Sequence, residues 1–188
     1  MIGSDCPEFF SMNIFYLDHD PRKAAQYHCD KHVNKMIVEH LQMMSVALAY
    51  HGLDPARKKD GNFYSVNAYK NHPCTKWVKQ SSANFARTYN LTMCLCDEFE
   101  LRFGKEHSGR KSLKSIDRQS VLFYFSDVGL TPPAQAMPDF CKVDGDAVQA
   151  YRNYYNFMKW RFAKWSTKTP DWWAPACFLE AKNEYIED

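Results

Sequence analysis

The stretch from Asp18 to Gly52 constrains the fold more than any other, because it carries signals for both ends of a helix and an apolar stripe between them. Asp20 is a good N-cap, Pro21 suits the first helical position, and Gly52 can adopt the left-handed conformation that ends a helix. The apolar positions recur at steps of three and four, at Cys29, Val33, Met36, Ile37, Leu41, Met44 and Leu48. The pattern predicts one long helix with a buried face.

The other face of this helix carries reactive side chains. Five of them are related to one another by spacings of three or four residues, namely His28, Lys31, His32, Lys35 and Glu39. Imidazole, amine and carboxylate groups transfer protons or attack electrophiles near neutral pH. We interpret this stripe as a candidate catalytic or ligand-binding site. The alternatives are a solvated surface helix and a buried histidine pair that is bonded to backbone carbonyls.

Two more long helices are predicted further along the chain. Pro73 begins the first, which runs to Phe103 with Gly104 as its stop. Its core stripe comprises Trp77, Phe85, Leu91, Leu95, Phe99 and Phe103. The last helix starts near Asp144 or Asp146 and runs through Trp165, with Tyr151, Tyr155, Met158, Phe162 and Trp165 facing the core.

Shorter pieces complete the predicted fold. Asn13 to Asp18 reads as a short β-like run, and Ile116 to Phe125 as a short helix or strand. We therefore expect a mainly α protein with a single compact domain over residues 12–188, built from about three long helices plus short helices and this β-like segment. Residues 1–11 read as an N-terminal appendage.

Composition limits the class of protein. Hydrophobic residues make up 45% of the chain and aromatic residues 15%, which favours a packed globule over disorder. Seven cysteines without a C-x-x-C pair, and no secretory signal, predict reduced thiols in a cytoplasm. No apolar run reaches the length of a membrane span, so we expect no membrane partner.

The stripe permits two kinds of chemistry. His28 and His32, four residues apart, have the spacing at which one helix presents two imidazoles to a divalent metal ion, and Asp30 is a candidate third ligand. Lys31 and Lys35 offer the alternative. A lysine that is crowded by other cations becomes a usable amine nucleophile, which forms a Schiff base with an opened deoxyribose while Glu39 moves protons.

Two segments are candidates for nucleic-acid binding. Lys70, Asn71 and His72 precede a helix start, where free N–H groups favour an anion; simple capping by Asn71 and His72 is the alternative. A basic strip with interleaved aromatic rings comprises Arg152, Lys159, Arg161 and Lys164, with Trp172 and Trp173. Such strips bind phosphates and stack bases, although an ordinary basic surface with inward rings has the same pattern.

Motifs spread along the chain resemble an uncharacterised family of phage-encoded proteins. They are Asn13-Ile14-Phe15-Tyr16-Leu17-Asp18 with Asp20-Pro21, His28-Cys29-Asp30-Lys31-His32, Lys35-Met36-Ile37, Lys70-Asn71-His72-Pro73-Cys74, Gly129-Leu130-Thr131-Pro132, Gln135-Ala136-Met137-Pro138 and Ala150-Tyr151-Arg152-Asn153-Tyr154-Tyr155. The resemblance covers Met12 to Trp173 and implies no activity.

The chain also resembles the pyrimidine-dimer DNA glycosylase family of the phage endonuclease V type, which is a small all-α domain. That family has a histidine and a catalytic glutamate seven residues apart on an early helix, as His32 and Glu39 are here. Some members show an Asn-His-Pro element, matched by Asn71-His72-Pro73. Their basic, aromatic C-terminal segment is matched by Tyr154-Tyr155 and Trp172-Trp173.

The chain departs from this family at its start. The resemblance implies that the α-amine of the mature N-terminus is the nucleophile, whereas here Met1 to Ser11 precede the comparable position. If translation begins at Met1, we expect that amine to be misplaced and Lys31 or Lys35 to serve instead.

These observations predict a phage-type DNA-processing enzyme, a base-directed DNA glycosylase and lyase that uses an amine nucleophile and Glu39. The target nucleotide would be flipped into a pocket lined by His28, His32, Lys35, Glu39 and His72. We expect DNA as the partner, no cofactor, and the cytoplasm of a phage host as the location. The alternatives are a metal-dependent hydrolase or nuclease on His28, His32 and Asp30, and a non-catalytic phage protein that binds a host partner.

Overall fold

The computed structural model describes residues 12–175, and this part of the chain consists of helices joined by irregular segments. The α-helices are α1 (Pro21–Tyr27), α2 (Asp30–Tyr50), α3 (Pro73–Val78), α4 (Ser82–Phe103), α5 (Gly109–Lys114), α6 (Arg118–Val121) and α7 (Ala147–Met158). Over residues 12–175 the β pairing is confined to an isolated bridge between Arg57 and Phe63. The mainly α prediction is confirmed. No helix within these residues is both long enough and apolar enough to cross a membrane. The predicted appendage, residues 1–11, lies outside the described residues.

The first predicted helix is in fact two helices, so the expectation of one continuous helix to Gly52 was wrong. Its start is as predicted, because the Asp20 side chain caps α1, and Gly52 has the predicted positive φ of 76° after α2. The chain breaks at His28 and Cys29, which are both extended and separate α1 from α2. As a result, His28 does not lie on the same helix as the rest of the predicted stripe.

A buried arginine of α4 stabilises this break. Arg102, whose side chain is fully buried, donates hydrogen bonds of 2.9 Å to the carbonyl oxygens of Gln26 and His28. It also pairs with Asp30 at 2.9 Å and with Glu98 at 2.7 Å. In a continuous helix these two carbonyls would accept hydrogen bonds from backbone N–H groups. Here they accept hydrogen bonds from a charged guanidinium, which offsets the loss.

The second predicted helix is also divided, into α3 and α4. Ser81 begins a new helix by accepting a hydrogen bond from the Asn84 N–H, and Asn84 donates in turn to the Trp77 carbonyl at the end of α3. Gly104 ends α4 with a φ of 66°, as predicted. Of the six residues predicted for its core stripe, Phe103 is the exception, because it is 39% exposed.

The remaining elements are shorter than the sequence predicts. The β-like run Asn13–Asp18 belongs to no strand, although Asn13 to Leu17 are buried. The segment Ile116–Phe125 contains the single-turn α6 and a 3₁₀ turn. The last helix, α7, is capped by Asp146 as expected but ends at Met158 and does not reach Trp165.

The core is organised around α2, which contacts α3, α4 and α5. Its buried side chains include Val33, Met36, Ile37, Leu41, Met44 and Leu48, all of them on the predicted apolar stripe. The N-terminal segment and α7 complete this core, with Leu17, Tyr151 and Tyr155 fully buried. One face of α2, around Lys35 and Glu39, therefore stays closer to solvent.

Candidate active site

Glu39 is the centre of the candidate site. Its side chain is only 12% exposed, and its two oxygens have different partners. Oε1 lies 3.0 Å from Nζ of Lys35, and Oε2 accepts a hydrogen bond of 3.0 Å from the Asn13 backbone nitrogen. Burial raises the pKa of the Glu39 carboxyl, whereas Lys35 and the Asn13 N–H favour its charged form. A carboxylate that is partly buried and bonded to a cation and a backbone N–H is a candidate for proton transfer.

The N-terminal segment is held firmly beside Glu39. The Asn13 side chain donates a hydrogen bond of 2.8 Å to the Ala136 carbonyl, and its Oδ1 accepts one of 2.9 Å from the Ile14 N–H. Phe15 has a positive φ of 52°, which is a genuine outlier for a bulky residue. Strained backbone of this kind is often found at functional sites. The hydrogen bonds of the Asn13 side chain thus fix the position of its backbone nitrogen beside Glu39.

Three lysines, Lys31, Lys35 and Lys159, are close enough to His32 for their positive charges to lower its pKa. Lys31 is exposed, and its Nζ lies 4.5 Å from the centroid of the Phe162 ring. Lys35 is 40% exposed and forms the ion pair with Glu39. The structure thus brings the two predicted amines of α2 to one side of the site and adds a third from beyond α7.

Lys159 has the most unusual environment of the three. Its Nζ lies 4.4 Å from the centroid of the Tyr154 ring, so that its charge rests on an aromatic face. Burial and the charges of Lys35 and Lys31 lower its pKa to about 8. The sequence assigned Lys159 to phosphate binding, because nothing in its spacing indicates that the side chain turns inward.

The two histidines of the predicted stripe lie in the interior. Nδ1 of His28 is 2.6 Å from the Ala24 carbonyl oxygen, and Nδ1 of His32 is 2.6 Å from the Tyr155 hydroxyl. The His32 ring stacks on Phe15, with the ring centroids 4.4 Å apart. Burial lowers the pKa of His28 to about 4 and that of His32 well below its usual value. Both rings are therefore neutral at pH 7. They lie in the core beneath the candidate site, where they pack against Phe15.

These buried histidines predict an acid-sensitive fold. An unfolded histidine takes up a proton near pH 6.5, whereas folded His28 resists protonation down to about pH 4 and His40 down to about pH 3. Between pH 6.5 and pH 4 the unfolded state therefore binds more protons than the folded state. The free energy of unfolding, which is highest above pH 6.5, falls as the pH is lowered towards 4. We expect the free energy of unfolding to fall between pH 7 and pH 5 by about 2 kcal/mol for His28 alone.

Urea denaturation at the two pH values measures this loss. A His19→Gln variant is the matched control, because His19 is exposed and its replacement leaves the buried rings in place. Equal stability of the wild type at pH 7 and pH 5 would contradict the buried, neutral state of these rings.

The turn before α3 lies next to the site. His72 is the N-cap of α3, since its Nδ1 accepts a hydrogen bond of 3.2 Å from the Cys74 N–H. Of the two residues in the capping alternative, His72 therefore has this role. Sγ of Cys74 lies 3.7 Å from Oδ1 of Asn13, which connects this turn to the segment beside Glu39. Lys70 and Asn71 are exposed on the same turn and remain available to a phosphate.

Part of the predicted nucleic-acid strip is used inside the protein. Arg152 donates a hydrogen bond of 3.1 Å to the Leu17 carbonyl and lies 3.3 Å from the Asp18 carboxylate. Trp172 and Trp173 are half-buried and pack against the other aromatic rings of the C-terminal segment. Arg152 and these two rings thus stabilise the fold, which corresponds to the inward-facing alternative.

The other members of that strip are exposed. Arg161 and Lys164 face solvent, and the Lys164 carbonyl accepts a hydrogen bond of 2.8 Å from the Asp30 N–H at the start of α2. This bond places the two basic residues at the end of α2 from which Lys31 projects. Exposed cations at this end of α2 suit contact with a phosphate backbone.

The alternative metal ligands are not brought together. His28 precedes α2, so the i, i+4 geometry on one helix is absent, and Asp30 pairs with Arg102 at 2.9 Å. Over the whole range from Met12 to Pro175, no group of three or more His, Cys, Asp or Glu side chains is arranged to hold a metal ion.

The sequence of this chain matches the model of one known protein family. A family model described as pyrimidine dimer DNA glycosylase matches residues 12–111, which is just over half of the 188 residues. The chain belongs to the pyrimidine dimer DNA glycosylase family. It is therefore a DNA glycosylase-type repair protein whose substrate is DNA. The family is known to need no cofactor. No curated protein and no solved structure matches the chain.

Membership of the pyrimidine dimer glycosylase family covers the segment from Met12 through α4 to Lys111 and so includes Glu39, Lys35 and Asn13. The sequence predicts Glu39 and Lys35 for the site but does not indicate Asn13. A single buried residue outside any helix or strand gives no periodic signal, whereas the family match, which begins at residue 12, includes it.

Proposed function

We propose that the protein is a DNA glycosylase with an associated lyase activity, in which an amine attacks the deoxyribose of a damaged nucleotide and Glu39 moves protons. The observation that carries the proposal is the position of Glu39, 3.0 Å from the Asn13 nitrogen and 3.0 Å from Nζ of Lys35 in a chain of this family. Carboxylate and amine functions in contact are the minimum that Schiff-base chemistry requires.

The glycosylase step replaces one bond to C1′ by another. The amine lone pair forms a bond to C1′, the bond from C1′ to the base breaks, and the base leaves with the electron pair and takes up a proton. The sugar carries positive charge in the transition state, which the Glu39 carboxylate stabilises electrostatically. A partly buried carboxylate is more effective in this role than an exposed one, because less water screens its charge.

The lyase step follows from the Schiff base. The sugar ring opens when O4′ is protonated, a proton leaves C2′, and the bond from C3′ to its phosphate breaks, which cuts the strand. Water then hydrolyses the Schiff base and restores the amine. Glu39 carries the protons in this proposal, because it is a partly buried carboxylate with Lys35 on one oxygen and the Asn13 N–H on the other.

The exposed cations around the site supply phosphate contacts. They are Lys31, Lys70, Arg161 and Lys164, all of them exposed. Phosphate contacts of this kind position a duplex without reading its sequence. Base flipping would then bring the damaged nucleotide to the amine. The resemblance to phage-encoded proteins supports phage DNA in the host cytoplasm as the place of action.

A nicking assay tests the proposal. The substrates are short duplexes with one cyclobutane pyrimidine dimer, with one abasic site, or without damage, all in the presence of a chelator. We expect strand cleavage at the dimer and at the abasic site and none on the undamaged duplex. Failure to cut either damaged duplex at stoichiometric protein would overturn the proposal. Cleavage that requires added divalent metal would instead favour the metal-dependent hydrolase.

A further inference from the structure

Tyr69 is an exposed aromatic residue in a strained backbone conformation. Its φ is 58°, in the left-handed region that a bulky residue rarely adopts, and it is 53% exposed. Among the residues that the structure describes, its side chain forms no hydrogen bond, and its ring is in contact with neither another ring nor a cation. The fold therefore gains little from a tyrosine at a position that glycine would occupy without strain.

The turn that carries Tyr69 is connected to the candidate site by short contacts. The Tyr69 carbonyl accepts a hydrogen bond of 2.9 Å from the His72 N–H, and Nδ1 of His72 accepts one of 3.2 Å from the Cys74 N–H. Sγ of Cys74 lies 3.7 Å from Oδ1 of Asn13, whose backbone nitrogen donates a hydrogen bond to Glu39. A DNA duplex, whose major groove alone is about 12 Å wide, is large enough to contact Glu39 and Tyr69 together.

The same turn is also held to α2. Gln42, three residues after Glu39, donates a hydrogen bond from its side-chain amide to the Ser65 carbonyl. Lys70 lines an open cleft together with Val46, which is seven residues after Glu39 and therefore on the same face of the helix. Because the turn is fixed on both sides, little conformational freedom is lost when its exposed side chains bind a partner.

The surroundings of Tyr69 suit an anionic partner. The chain has no aspartate or glutamate between Asp60 and Asp97. The lysines in this interval are Lys70, Lys76 and Lys79. Lys70 and Asn71, which follow Tyr69 directly, are exposed. Exposed aromatic rings next to cations are typical of surfaces that stack bases and bind phosphates, so DNA, the substrate of the family, fits this turn.

We propose that Tyr69 stacks on the base that is left exposed in the duplex when the damaged nucleotide leaves the helix, while Lys70 binds a neighbouring phosphate. This inference rests on the glycosylase function proposed above, in which the damaged nucleotide is flipped out. Flipping unstacks the neighbouring bases, and an aromatic ring on the exposed base face recovers part of the lost stacking. Tyr69 thus favours opened, damaged DNA over the intact duplex.

Binding to two duplexes tests this role without any chemical step. One duplex contains a tetrahydrofuran analogue of an abasic site next to 2-aminopurine, and the other is its intact counterpart. We expect Tyr69→Ala to bind the abasic duplex at least about tenfold more weakly than wild type and the intact duplex within about threefold, since loss of one stacked base costs about 5- to 150-fold. Stacking quenches 2-aminopurine, so the complex with Tyr69→Ala should fluoresce more strongly.

Three further variants separate the ring from the turn. Tyr69→Phe keeps an aromatic ring and should bind the abasic duplex within about threefold of wild type. Tyr124→Ala is the matched control, because Tyr124 is a 60% exposed tyrosine outside this turn, and it should bind as wild type. Glycine adopts a positive φ without strain. Tyr69→Gly should therefore unfold at a temperature at least as high as wild type but bind the abasic duplex as weakly as Tyr69→Ala.

Each outcome decides between the two proposals. The role of Tyr69 would be overturned if Tyr69→Ala bound the abasic duplex as wild type does, or lost affinity equally for both duplexes. A lower unfolding temperature for Tyr69→Gly would also overturn it, because the ring would then stabilise the turn itself. In these cases cleavage of a damaged duplex by the wild type leaves the proposed function standing. A wild type that neither cuts damaged DNA nor prefers the abasic duplex would overturn both.

Discussion

Replacing Glu39 by glutamine is expected to abolish most of the activity while leaving the fold and DNA binding intact. Glutamine has the same shape, and its oxygen still accepts the hydrogen bond from the Asn13 N–H. It carries no negative charge to stabilise the sugar cation, and it does not take up or release a proton. Removal of a general acid–base group typically costs 10²–10⁴-fold in rate, and we expect a loss of about that size.

Single-turnover cleavage of a duplex with one pyrimidine dimer measures this effect. Thermal unfolding and a DNA-binding titration, run on the same preparations, establish that the Glu39→Gln variant is folded and binds. Glu100→Gln is the matched control, because Glu100 is an exposed carboxylate of α4 and its replacement should leave the rate unchanged. A Glu39→Gln rate within about threefold of wild type would show that the carboxylate takes no part in the chemistry.

Replacing Arg102 by methionine is expected to have the largest effect on stability. The fully buried guanidinium joins the carbonyls of Gln26 and His28 to the carboxylates of Asp30 and Glu98. Methionine fills a similar volume but leaves two carbonyls and the Glu98 carboxylate without the guanidinium donor, and Asp30 keeps only the hydrogen bond of 3.1 Å from Ser166 Oγ. Removing one partner of a buried ion pair costs about 3–5 kcal/mol, and we expect the free energy of unfolding to fall by that amount.

Urea denaturation at pH 7 measures the loss, with Arg22→Met as the control. The Arg22 side chain is exposed on α1. Its backbone N–H donates the hydrogen bond to the Asp20 cap, and the Arg22→Met variant retains that N–H. We expect the control to change stability by less than about 0.5 kcal/mol. A loss below about 1 kcal/mol for Arg102→Met would mean that the break between α1 and α2 does not depend on this arginine.

The elements with strong local signals could be predicted from the sequence. Asp20 and Pro21 begin a helix, Gly52 and Gly104 stand at helix ends, and Asp146 caps α7, because capping depends on one side chain and its own neighbouring backbone. The apolar stripe of α2 was also predictable, since burial of one helix face requires the 3.6-residue period.

The breaks within the predicted helices could not be read from periodicity. The apolar pattern runs unchanged through His28 and Cys29, and the chain is bent there by Arg102, which is more than seventy residues away in sequence. A guanidinium from another helix that bonds the carbonyls of this segment outweighs local helix propensity, which amounts to a few tenths of a kcal/mol per residue.

For the candidate site, the sequence by itself determined which chemical groups are available on α2, and only the tertiary structure decided which of them meet. Lys35 and Glu39 are neighbours because residues four apart on a helix always are. Asn13 reaches Glu39 because the N-terminal segment packs beside α2, while His28 and His32 turn into the core. Side-chain spacing within a helix is set by local geometry, whereas the contacts between distant segments are set by how the whole core packs.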